Sequence, residues 1–153
     1  MNTFMERAWT EAENGMKAGD GGPFGAVVVR DGQIIAAGHN QVLKSHDSTA
    51  HAEIVAIRKA EQILSTHDLS ACELYTTCYP CPMCLSAILW ARIPTVFYGC
   101  TMDQAAAIGF DDKAFYEAVN DPGNSPMISL TPCDGDACQI LFKDWKNMNG
   151  TMY

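Results

Sequence analysis

Positive charge is scarce in this chain. Ten Lys and Arg stand against 18 Asp and Glu, for a formal net charge of −8, and the ten are scattered. A polyanion such as DNA or tRNA finds no electrostatic footprint here, so nucleic-acid binding starts at a disadvantage. Long apolar runs are also missing. The best, Cys84 to Ala91, falls well short of the roughly 20 residues that cross a bilayer. The first residues, Met1 to Glu13, read as a charged amphipathic helix rather than a basic segment leading into an apolar one. No signal peptide is therefore expected, and a cytoplasmic location follows. Repeats, low-complexity tracts and linker-like stretches are absent, and 153 residues suit a single domain.

The cysteines cannot all pair. Seven is an odd number, which argues against a closed disulfide framework and for core thiols, metal ligands or nucleophiles. Three of them crowd into Cys78-Tyr-Pro-Cys81-Pro-Met-Cys84.

Local patterns predict the surroundings of that cluster. Residues 2–18 carry Phe4, Ala8, Ala12, Gly15 and Met16 roughly on one helical face. Two β-rich runs, 25–30 and 33–38, flank Asp31-Gly32 and predict a two-residue hairpin. A loop from His39 ends in Asp47-Ser48-Thr49, all good capping residues, before a helix from about Ala50 to Leu64. A strand over 73–77, a helix over 82–92 and a strand over 95–99 follow. Residues 103–112 form a turn or short helix, 113–119 a short helix, 127–130 a short strand and 138–148 a last helix. Strands alternating with helices after a hairpin imply an α/β sheet covered on both faces.

Two short motifs carry chemistry: Thr49-Ala-His51-Ala-Glu53 and Pro80-Cys81-Pro-Met-Cys84. Pro82 suits the first position of a helix, so Cys81 stands near the N-cap and Cys84 one turn on. Sulfurs three positions apart share a face and reach one ion at about 2.3 Å. A helix N-terminus also favours thiolate over thiol. His51 and Glu53 would sit about 200° apart around a regular helix, and converge only on a target off the end of the first turn. One imidazole and two thiolates leave a fourth tetrahedral position open, the pattern of a catalytic zinc rather than a structural one. Zinc lowers the pKa of a bound water toward ~7, and Glu53 is then the natural proton carrier. His-x-Glu followed by Pro-Cys-x-x-Cys is the signature of zinc nucleobase deaminases.

Other readings compete. Cys78-x-x-Cys81-x-x-Cys84 also resembles part of an iron–sulfur ligand run, but neither Cys72 nor Cys100 is well placed as a fourth thiolate, and Cys78 reads as a buried loop residue. A structural zinc module would normally close its site with four protein ligands and leave Glu53 idle. Cys133 and Cys138 read as incidental thiols, and His39, His46 and His67 as structural or exposed.

With Pro23-Phe-Gly-Ala-Val27, Ala91-Arg92, Val96-Phe-Tyr98, Gly109-Phe-Asp-Asp112 and Tyr153 added to the two motifs, the chain resembles the cytidine-deaminase-like superfamily over nearly its whole length. Within it, Gly-Phe-Asp-Asp and a C-terminal Tyr resemble the small bacterial guanine deaminases. Ile93-Pro94 departs slightly from relatives that place proline directly after the arginine. The resemblance implies a three-layer α/β/α fold with a mixed five-stranded sheet, one Zn²⁺ per subunit, and a homodimer that exchanges C-terminal segments. It further implies a purine-base pocket drawing on Phe24, Asn40, Ala52, Trp90, Asp112 and Tyr153. A carboxylate such as Asp112 suits guanine, whose N1–H and 2-amino group donate side by side, and as a second catalytic group it would relay a proton to the departing ammonia. Asp112 also reads as a solvated loop acid, Asn40 as an Asx turn, Trp90 as core and Tyr153 as a frayed tail. Cytosine, guanosine, aminotriazines and tRNA adenosine are the alternative substrates.

Overall fold

The Asp-Gly hairpin organises the sheet. In the computed structural model, which describes residues Met1–Tyr153, β1 (Gly25–Arg30) and β2 (Gln33–His39) pair antiparallel. Asp31 and Gly32 have φ of 50° and 73°, the two left-handed residues of a type I′ turn, whose twist matches that of its strands. On its other side β1 pairs antiparallel with β3 (Cys72–Cys78), and β4 (Thr95–Cys100) joins β3 in parallel. The strand order is β2-β1-β3-β4.

The sheet is mixed, as expected, but has four strands rather than five. Residues 127–130 form a turn and irregular chain between Pro126 and Pro132. Four exposed residues bracketed by prolines have no ladder partner, and without one their backbone groups gain nothing from an extended conformation.

The chain divides into two compact units, Met1–Tyr116 and Glu117–Tyr153. In the first, α1 (Thr3–Ala18) covers one face of the sheet, and α3 (Ala52–Leu64) and α4 (Pro82–Trp90) cover the other. Side chains alternate along β1. Ala26 and Val28 join Ala56, Ile57, Leu69, Leu74 and Ile88 on the α3–α4 face. Val27 and Val29 pack with Tyr75 and Ala8 on the α1 face. Burial on both faces explains why β1 reads as an unbroken apolar run. Three layers thus form within the first unit.

Two expectations shift by a few residues. The 39–49 loop contains a helical turn, α2 (Val42–Ser45), and α3 starts at Ala52 with His51 as its N-cap. Asp47 does not cap α3 because its carboxylate is used locally, accepting from the Thr49 N–H at 2.8 Å and hydroxyl at 2.7 Å. Residues 101–116 supply α5 (Met102–Ala106) and the start of α6 (Lys113–Asn120).

Helix α1 lies directly on Gly25. A methyl there would run into the Ala8 carbonyl oxygen and come within 2.6 Å of the Ala12 nitrogen. Gly25→Ala is expected to destabilise the protein by ~1–3 kcal/mol, since the obstacle is helix backbone and cannot rotate aside. A urea titration should show a lower midpoint at unchanged slope; an unchanged midpoint would contradict this packing.

The second unit carries α7 (Gly135–Asn147). Its apolar side chains Ile140, Leu141, Phe142 and Trp145 are all exposed, Phe142 by 76%.

Candidate active site

Two helix starts meet at the motifs. His51 is the N-cap of α3 and Cys81 that of α4, with Pro82 at the head of α4; neither N-cap side chain is spent on a capping hydrogen bond. His51 is still extended, with φ −69° and ψ 158°, so the helical separation of about 200° from Glu53 does not apply. His51 points back over the helix end while Glu53 projects from the first turn.

The result is a three-atom group. His51 Nδ1 lies 3.5 Å from both Cys81 Sγ and Cys84 Sγ, and all three ligand atoms fall within 4.8 Å of one another. A tetrahedral zinc with N at ~2.0 Å and S at ~2.3 Å has N–S edges of roughly 3.5 Å. The donor set therefore fits a zinc ion. Cys78 stands outside the group, buried at the end of β3 with its Sγ 3.9 Å from the Thr101 carbonyl.

The thiols differ sharply in acidity. A hydrogen bond from Cys84 and the neighbouring His51 bring Cys81 down to about 4, against the opposing effect of burial. Cys84, the donor in that bond and itself buried, is pushed far up. His51 is raised in turn, chiefly by its hydrogen bond to Cys81. Burial pushes Cys78 up to about 11. In metal-stripped protein at pH 6, where an ordinary thiol near 8.5 is almost wholly protonated, iodoacetamide is expected to alkylate Cys81 ahead of Cys78, and added zinc to protect it. Peptide mass mapping checks this; Cys78 reacting as fast as Cys81 would contradict it.

Glu53 borders the group and is almost fully buried, at 6% exposed. Its Oε2 lies 3.5 Å from Cys84 Sγ, and its Oε1 accepts from the Thr76 hydroxyl at 3.1 Å. Burial raises its pKa, and the charge on Cys81 adds to the rise. Thr76 is a positioning residue that the motif reading missed. It is buried on β3 two residues after Leu74, and a hydroxyl at an inward-facing position of an apolar strand is the signal that marks it.

The remaining expected residues spread outward. Asp112 is half-buried, and burial raises its pKa. Tyr116, also missed, donates to the Pro80 carbonyl and ties the start of α6 to the cysteine loop. Phe24 packs edge-on against Phe110, with ring centroids 4.9 Å apart. Asn40 is buried and does close an Asx turn, its Oδ1 accepting from Val42 N–H at 3.1 Å. Its backbone N–H also donates to the Phe24 carbonyl at 3.0 Å. Ala52 is fully buried between His51 and Glu53. Trp90, at the end of α4, is 71% exposed, so it is not core. Tyr153 ends the second unit and is exposed. No helix is long and apolar enough to cross a membrane.

Known proteins match both the triad and the whole chain. The family described as the cytidine and deoxycytidylate deaminase zinc-binding region matches residues 1–100, which include His51, Glu53, Cys81 and Cys84. The guanine deaminase of Bacillus subtilis is 48% identical over 145 residues, 95% of this chain and 93% of that protein. A crystal structure of guanine deaminase from Bacillus subtilis superposes with a TM-score of 0.91 at 48% identity, covering 96% of this chain and 95% of the other. A tRNA-specific adenosine deaminase of Buchnera aphidicola is 33% identical over 147 residues, 96% of this chain and 92% of its own length. The chain therefore belongs to the zinc-binding cytidine and deoxycytidylate deaminase family.

Proposed function

We infer that this protein hydrolyses guanine to xanthine and ammonia. The observation that carries the reaction class is the buried Glu53 carboxylate, 3.5 Å from Cys84 Sγ at the edge of the triad. The choice of base rests on full-length similarity to a guanine deaminase, 48% against 33% for a tRNA deaminase matched over a similar span.

His51 Nδ1 and the thiolates of Cys81 and Cys84 would hold one zinc ion per chain, which would supply the acidity that activates water at neutral pH. Glu53 takes the water proton and delivers it to the ring nitrogen beside C2, then carries the proton of the newly formed C2 hydroxyl to the departing amine as the carbonyl forms. A carboxyl raised by burial is suited to both directions of that transfer. One C–O bond forms at C2, the C–N bond to the amino group breaks, and ammonia leaves. Asp112 accepts from N1–H and the 2-amino group, while Asn40 and the Ala52 backbone meet polar atoms of the ring. Phe24 and Trp90 flank its faces. Residues 1–153 act as one deaminase domain in the cytoplasm. The working form is a homodimer whose C-terminal segments are exchanged, a reading supported by the exposed apolar side chains of α7.

An ammonia-release screen of the purified protein against guanine, guanosine, cytosine, adenine, aminotriazines and an anticodon stem-loop tests the assignment. Guanine should be the preferred substrate. Turnover of cytosine alone would overturn the base while leaving the zinc chemistry intact.

A further inference from the structure

A charged cluster beside Phe24 and Asn40 has no part in the chemistry above. His39, the last residue of β2 and largely buried, holds its Nε2 2.8 Å from Asp20 Oδ2 and its Nδ1 3.4 Å from Glu11 Oε2. The same Asp20 oxygen accepts from Lys44 Nζ at 2.9 Å, and Glu11 is paired with Arg7 at 2.6 Å. The Asp20 carbonyl accepts from the N–H groups of Leu43 at 3.1 Å and Lys44 at 3.0 Å. The imidazole lies flush on Gly15, where any side chain would collide with it.

The cluster thus laces together α1, the 19–24 loop, the end of β2 and α2. Each member of the Asp20–His39 pair borders a segment of the base pocket. His39 precedes Asn40, and Asp20 opens the loop that leads to Phe24. The two pocket residues are joined to each other by the Asn40 N–H to Phe24 carbonyl bond of 3.0 Å. Asn40 Oδ1 also fills the space beside Gly21, where a methyl group would meet it. Partly buried ionic networks cost desolvation and hold one geometry only while every partner is in place.

We propose that the Asp20–His39 pair, braced by Glu11 and Lys44, is a latch that positions Asn40 and Phe24 for binding the purine base. The pair acts through those two residues and does not touch the reacting atoms. The proposal rests on the guanine reading for its kinetic consequence and stands apart from it in its structural one.

The test uses the zinc-loaded protein and three variants, His39→Leu, His39→Gln and Asp20→Asn. Hydrogen exchange, which needs no substrate, should accelerate at least ~tenfold in His39→Leu at the amides of Asn40, Leu43 and Lys44, with β3 amides unchanged. In guanine turnover, KM should rise roughly tenfold with kcat within about twofold and zinc content unchanged, because loss of pocket alignment weakens binding without removing a proton carrier. His39→Gln, which can still donate to Asp20, should recover most of the loss. If His39→Leu fails to fold, Asp20→Asn carries the same expectations in smaller degree. Wild-type exchange rates at those amides would overturn the latch, as would a lowered Tm at unchanged KM. Absence of guanine turnover in the wild type would instead overturn the proposed function, with the exchange measurement still deciding the latch.

Discussion

Glu53→Gln is expected to keep its zinc and lose its turnover of guanine by ~10²–10⁴-fold in kcat. Gln has the same shape and can still accept from the Thr76 hydroxyl through its amide oxygen, so the side chain stays in place. What it lacks is a transferable proton. The substitution should also not weaken the fold. Burial and the Cys81 charge raise the Glu53 pKa above its unfolded value, so the folded state disfavours the ionised form. The sign follows from linkage. Below the unfolded pKa the carboxyl is neutral in both states, and wild type carries no penalty there. As pH rises through the folded pKa, wild type loses stability that Gln does not. In metal-free protein the stability difference should therefore favour Glu53→Gln increasingly above the normal carboxylate range. Urea midpoints at acid and neutral pH read this, and ammonia release with zinc analysis reads the rest. A variant with full activity would contradict the role of Glu53; one that had lost its zinc would contradict the geometry.

Cys84→Ala is expected to abolish both zinc binding and turnover. Cys84 is completely buried, so no neighbouring donor can swing in to replace its sulfur, and two ligands do not make a tetrahedral zinc site. Activity should fall at least ~10³-fold, into the range left when a cooperating set of groups is broken. Cys78→Ala is the matched control. Its Sγ faces the Thr101 carbonyl rather than the triad, so zinc content and kcat should stay close to wild type. The two variants together separate a His-Cys-Cys centre from the three-cysteine run that the sequence also contains. Loss of metal in Cys78→Ala would contradict the present ligand set.

Local rules made the triad legible. Pro82 announces a helix and makes Cys81 its N-cap, and His-x-Glu before an apolar helix does the same for α3. Each motif encodes a helix start, and only their meeting needed the fold. The hairpin was equally legible, since Asp31-Gly32 determines its own backbone. What escaped depended on distance. Thr76 matters through Glu53, 23 residues away in sequence, and Tyr116 through Pro80, 36 away; neither lies in a motif. The start of α3 moved because Asp47 has a nearer partner in Thr49. The fifth strand failed because strand propensity without a neighbour satisfies no backbone hydrogen bonds. The exposure of Trp90, which also read as core, shows the same limit. Propensity marks a residue as useful, but packing decides what surrounds it.

The central claim is that one zinc held by His51, Cys81 and Cys84 enables guanine hydrolysis in each chain. Titrating zinc into metal-stripped protein while following guanine loss tests it directly. Turnover should be near zero without metal, rise in proportion to added zinc, and break sharply at one equivalent per chain. Guanine hydrolysis that survives complete stripping, or that saturates well away from one equivalent, would contradict the account.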